Sequence, residues 1–274
     1  IQKLTSVKLV NYEKRNFHGG GFNRFSVIKI QFIHKFEDII SIDNLLSAWT
    51  EFVKGKRAKK DTQLFQLNLI DNIIQLHEDL GNQTYKHSAY ENFYINDPKP
   101  RHIHKATVRD RVVHRAIYRI LYPFFSRTFI TNSFSCQLGK GMHKALNRFR
   151  SFGYGVSKNN TKTTWILKCD IRKFFENINH QVLKDILKSY ISDEKILWLL
   201  ENIVDSFYSR RPGIGLPLGN LTSQLFVNIY MNEFDQFIKH KIKARYYIRY
   251  ADDFVVFAED RNWLESILSA MQLF

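Results

Sequence analysis

The stretch Arg245–Glu259, RYYIRYADDFVVFAE, restricts the fold more than any other part of the sequence. Its two apolar, β-branched and aromatic runs, Tyr246–Tyr250 and Phe254–Phe257, predict the strands of a hairpin. Asp252 and Asp253 lie at the tight connection between them. Adjacent carboxylates between buried strands are costly without a positive partner, and carboxylate oxygens suit magnesium or manganese. A solvated turn is the alternative, since Asp is common in turns.

The charge balance narrows the class of partner. The chain has 41 Lys and Arg against 26 Asp and Glu, a formal net charge of +15, and 15% of its residues are aromatic. Such an excess of positive charge favours a polyanionic partner, and aromatic rings offer stacking surfaces. Nucleic acid is therefore the first partner we expect, and an anionic membrane surface is the second.

Length and hydropathy indicate a globular protein. The 274 residues are 44% hydrophobic, enough for one large domain or two subdomains around a sizeable core. No apolar run of about 18 residues predicts a membrane helix, and the first residues lack the apolar centre of a secretory signal. We expect a cytoplasmic protein whose only cysteines, Cys136 and Cys169, are buried and reduced. The missing initiating Met suggests a processed, trimmed or incomplete chain.

The first third of the chain predicts a strand and then a helical layer. Val27–Phe32 is the clearest strand there. From Ser41, which is placed to cap a helix, apolar residues recur at helical spacing. The basic run Lys54–Lys60 follows as a loop that is either solvated or in contact with phosphates. A second helix is predicted over Leu67–Leu80, with Gly81 as its C-cap.

One acid in the middle of the chain lies at the end of a predicted strand. Trp165–Cys169 is typical of a buried strand, and Asp170 follows it directly. A carboxylate at such a strand end is well placed to meet the acids of another strand across a sheet. Further along, helices are predicted over His180–Ser189 and Glu194–Phe207, and a glycine-broken loop from Gly213 leads into a long amphipathic helix.

Asp170, Asp252 and Asp253 together suit a two-metal phosphoryl-transfer site, with ions about 3.5–4 Å apart. One ion would activate a 3′-hydroxyl, and the other would hold a triphosphate and its leaving group. Basic residues such as Lys99 and Arg101 would neutralise charge on the β and γ phosphates.

Four motifs stand out along the chain: PKPRHIHKATVRDRVV (Pro98–Val113), DIRKFF (Asp170–Phe175), GLPLGNLTSQ (Gly215–Gln224) and YADD (Tyr250–Asp253). In turn, they resemble the fingers hairpin, the first catalytic segment, the nucleotide-facing loop and the catalytic hairpin of reverse transcriptases. They occur in that family's order and roughly its spacing. The resemblance implies an α+β fold with right-hand polymerase fingers and palm, in which helices flank an antiparallel palm sheet, and with an N-terminal helical layer. It places an N-terminal extension at 1–60, mainly fingers at 61–165, and mainly palm at 166–274 with a fingers insertion at about 181–212. No helical thumb is expected before Phe274, so this chain alone should be poorly processive.

The resemblance also assigns roles. Asp170, Asp252 and Asp253 match the catalytic, metal-binding aspartates, joined by the backbone of Ile171, with two Mg²⁺ ions (or Mn²⁺) as cofactors. Phe175 matches the steric gate that excludes a ribose 2′-hydroxyl, although core packing is an alternative for it and fits the neighbouring Phe174. The implied nucleotide-binding residues are Lys99, Arg101, Phe175, Leu218 and Gly219. The implied nucleic-acid-binding residues are Arg109, Arg111, Asn220, Gln224 and Tyr250.

The nucleotide-facing loop bears on the subtype. Many reverse transcriptases, including group II intron types, have Gln and Pro where this chain has Leu218 and Gln224. The two replacements resemble enzymes of diversity-generating retroelements, in which an apolar residue at the Leu218 position is associated with error-prone copying of adenines. Unclassified and defence-associated bacterial reverse transcriptases share such a loop and remain an alternative.

The resemblance predicts an RNA-directed DNA polymerase with an RNA template, a primer or cDNA, dNTPs and a small basic accessory protein as partners, and no membrane. Two rivals keep the fold. An RNA-templated RNA polymerase would leave room for the 2′-hydroxyl, which Phe175 argues against. A non-catalytic nucleic-acid-binding protein would have no need for three clustered acids.

Overall fold

The computed structural model describes residues 31–96 and 100–274, which form two compact units. Among the described residues, the first unit comprises Thr128–Phe174 and Asn228–Phe274, and we call it the sheet unit. The second comprises the described part of Ser26–Arg127 together with Phe175–Val227, and we call it the helical unit. The subdomain boundaries expected from the resemblance stay predictions.

Along the described residues, runs of helices are separated by one or two strands, which is the mixed α+β pattern that was predicted. The helices are α1 (Phe36–Ile40), α2 (Ile42–Phe52), α3 (Lys60–Leu67), α4 (Leu69–Gly81), α5 (Val108–Phe125), α6 (Met142–Val156), α7 (Phe174–Asn177), α8 (His180–Lys188), α9 (Glu194–Asp205), α10 (Leu221–His240) and α11 (Arg261–Leu273). The strands are β1 (Glu91–Asn96), β2 (Pro100–Lys105), β3 (Trp165–Asp170), β4 (Tyr247–Tyr250) and β5 (Asp253–Ala258).

The sheet unit is built on a three-stranded antiparallel sheet in the order β3–β5–β4. β4 and β5 form the predicted hairpin, in which Tyr250 pairs with Asp253 and only Ala251 and Asp252 connect the strands. β3 pairs with β5 on the other side, and its last residue, Asp170, lies opposite Asp253. The fold class and the antiparallel palm sheet are thereby confirmed.

Different helices cover the two faces of this sheet. Successive strand residues point to opposite faces, whereas directly paired residues share one. On the face of Ile248, a buried cluster joins Ile248 and Phe257 to Val156 of α6. On the other face, the ring of Phe254 packs against Phe234 of α10 at 5.1 Å between centroids. Each layer excludes water from one side of the hairpin, which fixes its register.

The helical unit centres on the packing of α2 against α5. The buried side chain of Asn44 on α2 donates to the carbonyl of Ala116 on α5 at 3.2 Å. Ser41 caps α2 as predicted, because its hydroxyl accepts from the Asn44 N–H at 3.3 Å. β1 and β2 form a separate antiparallel pair whose residues are mostly exposed. No helix in residues 31–96 and 100–274 is long and apolar enough to cross a membrane.

Three local predictions need correction or fall outside the description. The strand Val27–Phe32 lies outside the described residues apart from its last two, which are not in a strand. Gly81 is the last residue of α4 rather than its cap, and the left-handed backbone beyond the helix belongs to Gln83, with φ 56°. Both thiols are free, but only Cys169 is buried; the prediction was wrong for Cys136, which is exposed in a turn.

Candidate active site

The sheet unit brings two of the three predicted catalytic carboxylates together. Asp170 and Asp253 are directly paired at the ends of β3 and β5, and Tyr250 is paired with Asp253 on its other side. Paired residues in antiparallel strands have Cβ atoms about 4.5–5.5 Å apart and share a face. All three residues are exposed, so this end of the sheet presents a row of two acids and a phenol to solvent.

Asp252 occupies the second position of the two-residue turn and is half-buried. The first position, Ala251, has a φ of 55°, in the left-handed region that residues other than glycine rarely adopt. The turn is therefore held in a conformation that its sequence does not favour by itself.

The donor set fits a hard divalent cation, since Mg²⁺ and Mn²⁺ prefer carboxylate oxygens. Asp170 and Asp253 offer such oxygens side by side, and Ile171 follows β3 directly. Within residues 31–96 and 100–274, however, no group of three or more His, Cys, Asp or Glu side chains is arranged to hold a metal ion. The structure thus places two of the predicted metal ligands, Asp170 and Asp253, side by side, and Asp252 as a third ligand remains a prediction.

Sequence reasoning missed a buried ion pair behind the hairpin. Arg249 of β4 is fully buried and binds Asp235 of α10 through two hydrogen bonds, Nε to Oδ1 at 2.8 Å and Nη2 to Oδ2 at 2.7 Å. Tyr247 adds a third hydrogen bond to the same carboxylate at 2.7 Å. The signal in the sequence was a charged residue inside an apolar strand run, which demands a buried partner.

Burial sets the protonation of the groups on this inner face. Burial alone would lower the pKa of Arg249, but the carboxylate of Asp235 outweighs it and raises that pKa. Burial raises the pKa of Tyr247 well above its usual value, and the Asp235 charge adds to the effect. Burial likewise raises the pKa of Cys169, next to Asp170, to about 11. The guanidinium is therefore charged, while the phenol and the thiol are neutral at physiological pH.

The helical unit joins the predicted nucleotide-binding loop to the predicted gate. The Phe175 carbonyl accepts from the Leu216 N–H at 2.8 Å, and the Phe175 side chain is half-buried. The Leu218 carbonyl accepts from the His104 N–H at 3.0 Å, which ties the loop to β2. The amide of Asn220 also donates to the His104 carbonyl at 2.8 Å, so this buried side chain has a partner within the protein.

Two features require glycine at position 219: its backbone conformation and the closeness of Ile103. Its φ is +109°, and a Cβ added there would lie 3.0 Å from the Cγ2 atom of Ile103 on β2. Glycine therefore lets the loop pass close to β2. Gln224 lies in the first turn of α10, where its N–H donates to the Asn220 carbonyl.

The basic candidates differ in their surroundings. Lys99 lies outside the described residues, and Arg101 is exposed on β2. Arg109 binds Asp79 at 2.7 Å, and Arg111 binds Asp61 at 2.7 Å. Both of these guanidiniums thus have carboxylate partners in the chain, and their predicted contacts with nucleic acid stay predictions.

An antiparallel sheet with acids at its hairpin end and helices on both faces is the palm architecture of a template-copying polymerase. The sequence model of the family described as "Reverse transcriptase (RNA-dependent DNA polymerase)" matches residues 94–274, well over half of the chain. The chain therefore belongs to the reverse transcriptase family, as the four motifs predicted.

Individual relatives are distant. Protein YkfC of Escherichia coli K12 is 25% identical over 185 residues, which cover 65% of this chain and 48% of YkfC. The group II intron-encoded protein LtrA of Lactococcus lactis subsp. cremoris is 26% identical over 177 residues, 61% of this chain and 28% of LtrA. A solved structure described as a partial Cas6-RT-Cas1–Cas2 complex has a TM-score of 0.51 at 20% identity, covering 87% of this chain and 42% of that one. This chain thus spans less than half the length of these relatives.

Proposed function

We propose that the protein is an RNA-directed DNA polymerase that copies an RNA template into cDNA by metal-dependent nucleotidyl transfer. The observation that carries the proposal is the direct pairing of Asp170 with Asp253 at the hairpin end of the sheet. Family membership over residues 94–274 supports the same activity.

In the proposed mechanism, residues of the chain hold the metal ions and exclude nucleotides that carry a 2′-hydroxyl. Asp170, Asp252 and Asp253, with the carbonyl of Ile171, would hold Mg²⁺ or Mn²⁺, which would supply charge neutralisation at the phosphates and acidify the 3′-hydroxyl. Phe175 is held by its backbone on the loop that carries Leu218, and its ring would exclude a 2′-hydroxyl from the nucleotide site.

The β1–β2 hairpin would bind the triphosphate of the incoming dNTP. Arg101 is exposed on β2, and Lys99 precedes it by two residues in the sequence. Leu218 and Gly219 lie on the loop that is hydrogen-bonded to β2. The backbone of this loop and the guanidinium of Arg101 would therefore contact the same nucleotide. Guanidinium and ammonium groups placed there would stabilise the charge that develops on the phosphates.

The proposed partners are an RNA template and a DNA primer or cDNA. A net charge of +15 favours polyanions, and an A-form hybrid would be recognised by shape. Arg109, Arg111, Asn220, Gln224 and Tyr250 are the proposed contacts. An accessory protein partner is also proposed, supported by a fold relative described in a complex with Cas proteins.

For the biological origin we propose a diversity-generating retroelement, supported by Leu218 and Gln224 in the nucleotide-facing loop. The intron-encoded relative LtrA favours a group II intron-like origin as the second candidate. A Leu218→Gln variant separates them in a fidelity assay. We expect fewer misincorporations opposite template adenines, because the added amide restores polar control of the nucleotide; an unchanged error spectrum would argue for the second candidate.

Primer extension tests the activity itself. An RNA template with a DNA primer is incubated with dNTPs and Mg²⁺ or Mn²⁺, and Asp252→Asn should reduce incorporation about a thousandfold, since metal-assisted charge stabilisation is worth several kcal/mol. Glu259→Gln is the matched control, because Glu259 follows the opposite end of β5, roughly 20 Å away at 3.3 Å per residue. Incorporation that survives Asp252→Asn, or falls equally in both variants, contradicts the proposal.

A further inference from the structure

We infer that the buried pair of Arg249 and Asp235 is a positioning device that fixes the turn carrying Asp252 and Asp253. The inference rests on the proposed function, because it gives the pair a role in the same site. It concerns Arg249, a fully buried residue on the inner face of the hairpin.

Two hydrogen bonds to Asp235 orient the guanidinium, and its remaining nitrogen, Nη1, donates to the turn at 3.0 Å and to Asn228 Oδ1 at 3.4 Å. Asp235 accepts from Nε and Nη2 of Arg249 at 2.8 and 2.7 Å, and this fork fixes the plane of the group. Nη1 then donates to the carbonyl of Ala251 at 3.0 Å. Ala251 immediately precedes Asp252, so the ion pair is bonded directly to the backbone of the acidic turn.

The turn needs such a contact because Ala251 is strained. Its φ of 55° is unfavourable for a residue with a Cβ, because the Cβ comes too close to the following carbonyl oxygen. A charged hydrogen bond to its carbonyl can offset this strain, so the bond can hold a conformation that the sequence alone does not favour. Without it, the peptide before Asp252 could rotate and move both carboxylates.

The device is itself anchored on other sides. The backbone of Arg249 is hydrogen-bonded to the segment 132–134. Its N–H donates to the Asn132 carbonyl and its carbonyl accepts from the Phe134 N–H, both at 3.0 Å. Lys140 fastens that segment by donating from Nζ to the carbonyls of Ile130, Thr131 and Ser133. Lys140 therefore holds the backbone segment that pairs with Arg249. The anchoring makes the guanidinium a fixed reference for the turn.

A role in stability alone explains the arrangement less well. Buried ion pairs are often no more stabilising than apolar residues of similar size, because desolvation offsets their attraction. What an apolar residue cannot provide is a donor for the Ala251 carbonyl. Lysine cannot replace the arginine either, because a single ammonium group cannot make two parallel hydrogen bonds to Asp235 and at the same time reach the Ala251 carbonyl.

Arg249→Lys tests the inference against a matched control. Ile267→Ala removes apolar volume from α11 in the same unit and should lower the melting temperature without changing the turn. Tyr247→Phe is a milder second variant, because it removes one of the hydrogen bonds to Asp235 and leaves the fork intact. For each chain we would measure the melting temperature, amide hydrogen exchange at Ala251–Asp253, binding of Mn²⁺ alone by electron paramagnetic resonance, and kcat and KM for dNTP.

We expect Arg249→Lys to speed exchange in the turn and to weaken Mn²⁺ binding about tenfold, the equivalent of one hydrogen bond to a charged group. We expect kcat to fall with KM for dNTP nearly unchanged, and Tyr247→Phe to shift in the same direction by less. Ile267→Ala should lower the melting temperature without these changes. The inference would be overturned if Arg249→Lys had the same amide exchange in the turn and the same Mn²⁺ affinity as wild type or Ile267→Ala. If wild type incorporates no nucleotide, the proposed function fails, whereas the exchange rates still decide the positioning role.

Discussion

The adjacent phenylalanines of the segment DIRKFF have different environments. Phe174 is buried in the sheet unit, whereas Phe175 is half-buried and belongs to the helical unit. A ring with an accessible side can contact a ligand, and a fully buried ring can only pack. This difference favours Phe175 over Phe174 as the residue that meets a nucleotide.

We expect Phe175→Ala to raise the use of rNTPs relative to dNTPs by about 10- to 200-fold, the range that one apolar contact controls. The physical reason is that removing the ring removes the clash with the 2′-hydroxyl. The ratio of kcat/KM for rNTP and dNTP measures the effect. Phe174→Ala is the control, expected to lower stability without changing the ratio; a ratio unchanged in Phe175→Ala contradicts the gate.

The two cysteines should differ in reactivity. Cys169 is buried and its pKa is raised to about 11, so very little thiolate forms at pH 8, whereas Cys136 is exposed. We expect one thiol per native chain to react rapidly with a thiol reagent and two after unfolding in urea. A Cys136→Ser variant should lose the rapid reaction. Rapid labelling of that variant would show that β3 opens beside Asp170.

Sequence reasoning succeeded at residues whose role follows from local order and failed where a role depends on a distant partner. Asp170 was placed at a strand end because the apolar run before it is visible in the sequence. Arg249 was left without a role because Asp235 lies 14 residues away on another element. Only the packing of α10 on the sheet makes them partners, and no local pattern contains that contact.

At the scale of elements, helix α5 carries a buried polar network. Asp110 accepts from Tyr85 at 2.7 Å and from Thr107 at 2.6 Å. His87 and His114 face each other with 3.1 Å between their Nε2 atoms, and His87 Nδ1 lies 2.6 Å from the Ser88 carbonyl. If Nδ1 of His87 donates to that carbonyl, its Nε2 accepts from His114, and both rings are neutral.

This network should make the protein sensitive to mild acid. Burial lowers the pKa of His114 to about 3 and also lowers the pKa of His87. The unfolded chain, with histidine pKa values near 6.5, therefore binds more protons than the folded one between about pH 6.5 and 3. Above that window the free energy of unfolding keeps its full value. As the pH drops through the window, it falls by up to about 1.4 kcal/mol per pH unit for each histidine that is buried in its neutral form.

Urea unfolding at pH 7 and pH 5 measures this loss. We expect the free energy of unfolding to fall less in His114→Gln than in wild type, by about 2 kcal/mol over this interval. His143→Gln, which replaces an exposed histidine on α6, should retain the wild-type loss. Equal pH dependence in all three chains would mean that His114 is not held neutral in the folded state.

Element boundaries show a second limit of sequence reasoning. α4 continues through Gly81, and Gln83 adopts the left-handed conformation that glycine was expected to provide. The N–H groups of Thr84 and Tyr85 both bond to the Asp79 carbonyl, which holds the chain reversal after the helix. Two hydrogen bonds of the chain reversal thus offset a conformational preference of about 1 kcal/mol for glycine at Gln83.

At the scale of the whole molecule, charge pairing within the chain uses part of the basic excess. Arg109, Arg111 and Lys188 each bind a carboxylate of the same chain. The sequence predicted a polyanionic partner from the net charge, but it could not distinguish cations that pair internally from those that face solvent. The structure makes that distinction, and a salt titration can use it.

We expect binding of an RNA–DNA primer–template to weaken steeply with salt, because each phosphate contact releases condensed counterions. Arg101 is proposed above for the dNTP triphosphate. If this exposed residue of β2 also binds one phosphate of the primer–template when no dNTP is present, the slope of log Kd against log salt should fall by about 0.7–0.9 in Arg101→Gln. Lys188→Gln is the matched control, because Lys188 is paired with Glu201 at 2.9 Å and its charge is already compensated. Fluorescence anisotropy between low and moderate salt measures both slopes. An equal change in the two variants would mean that the protein attracts nucleic acid only through its overall charge, without a phosphate site on the β1–β2 hairpin.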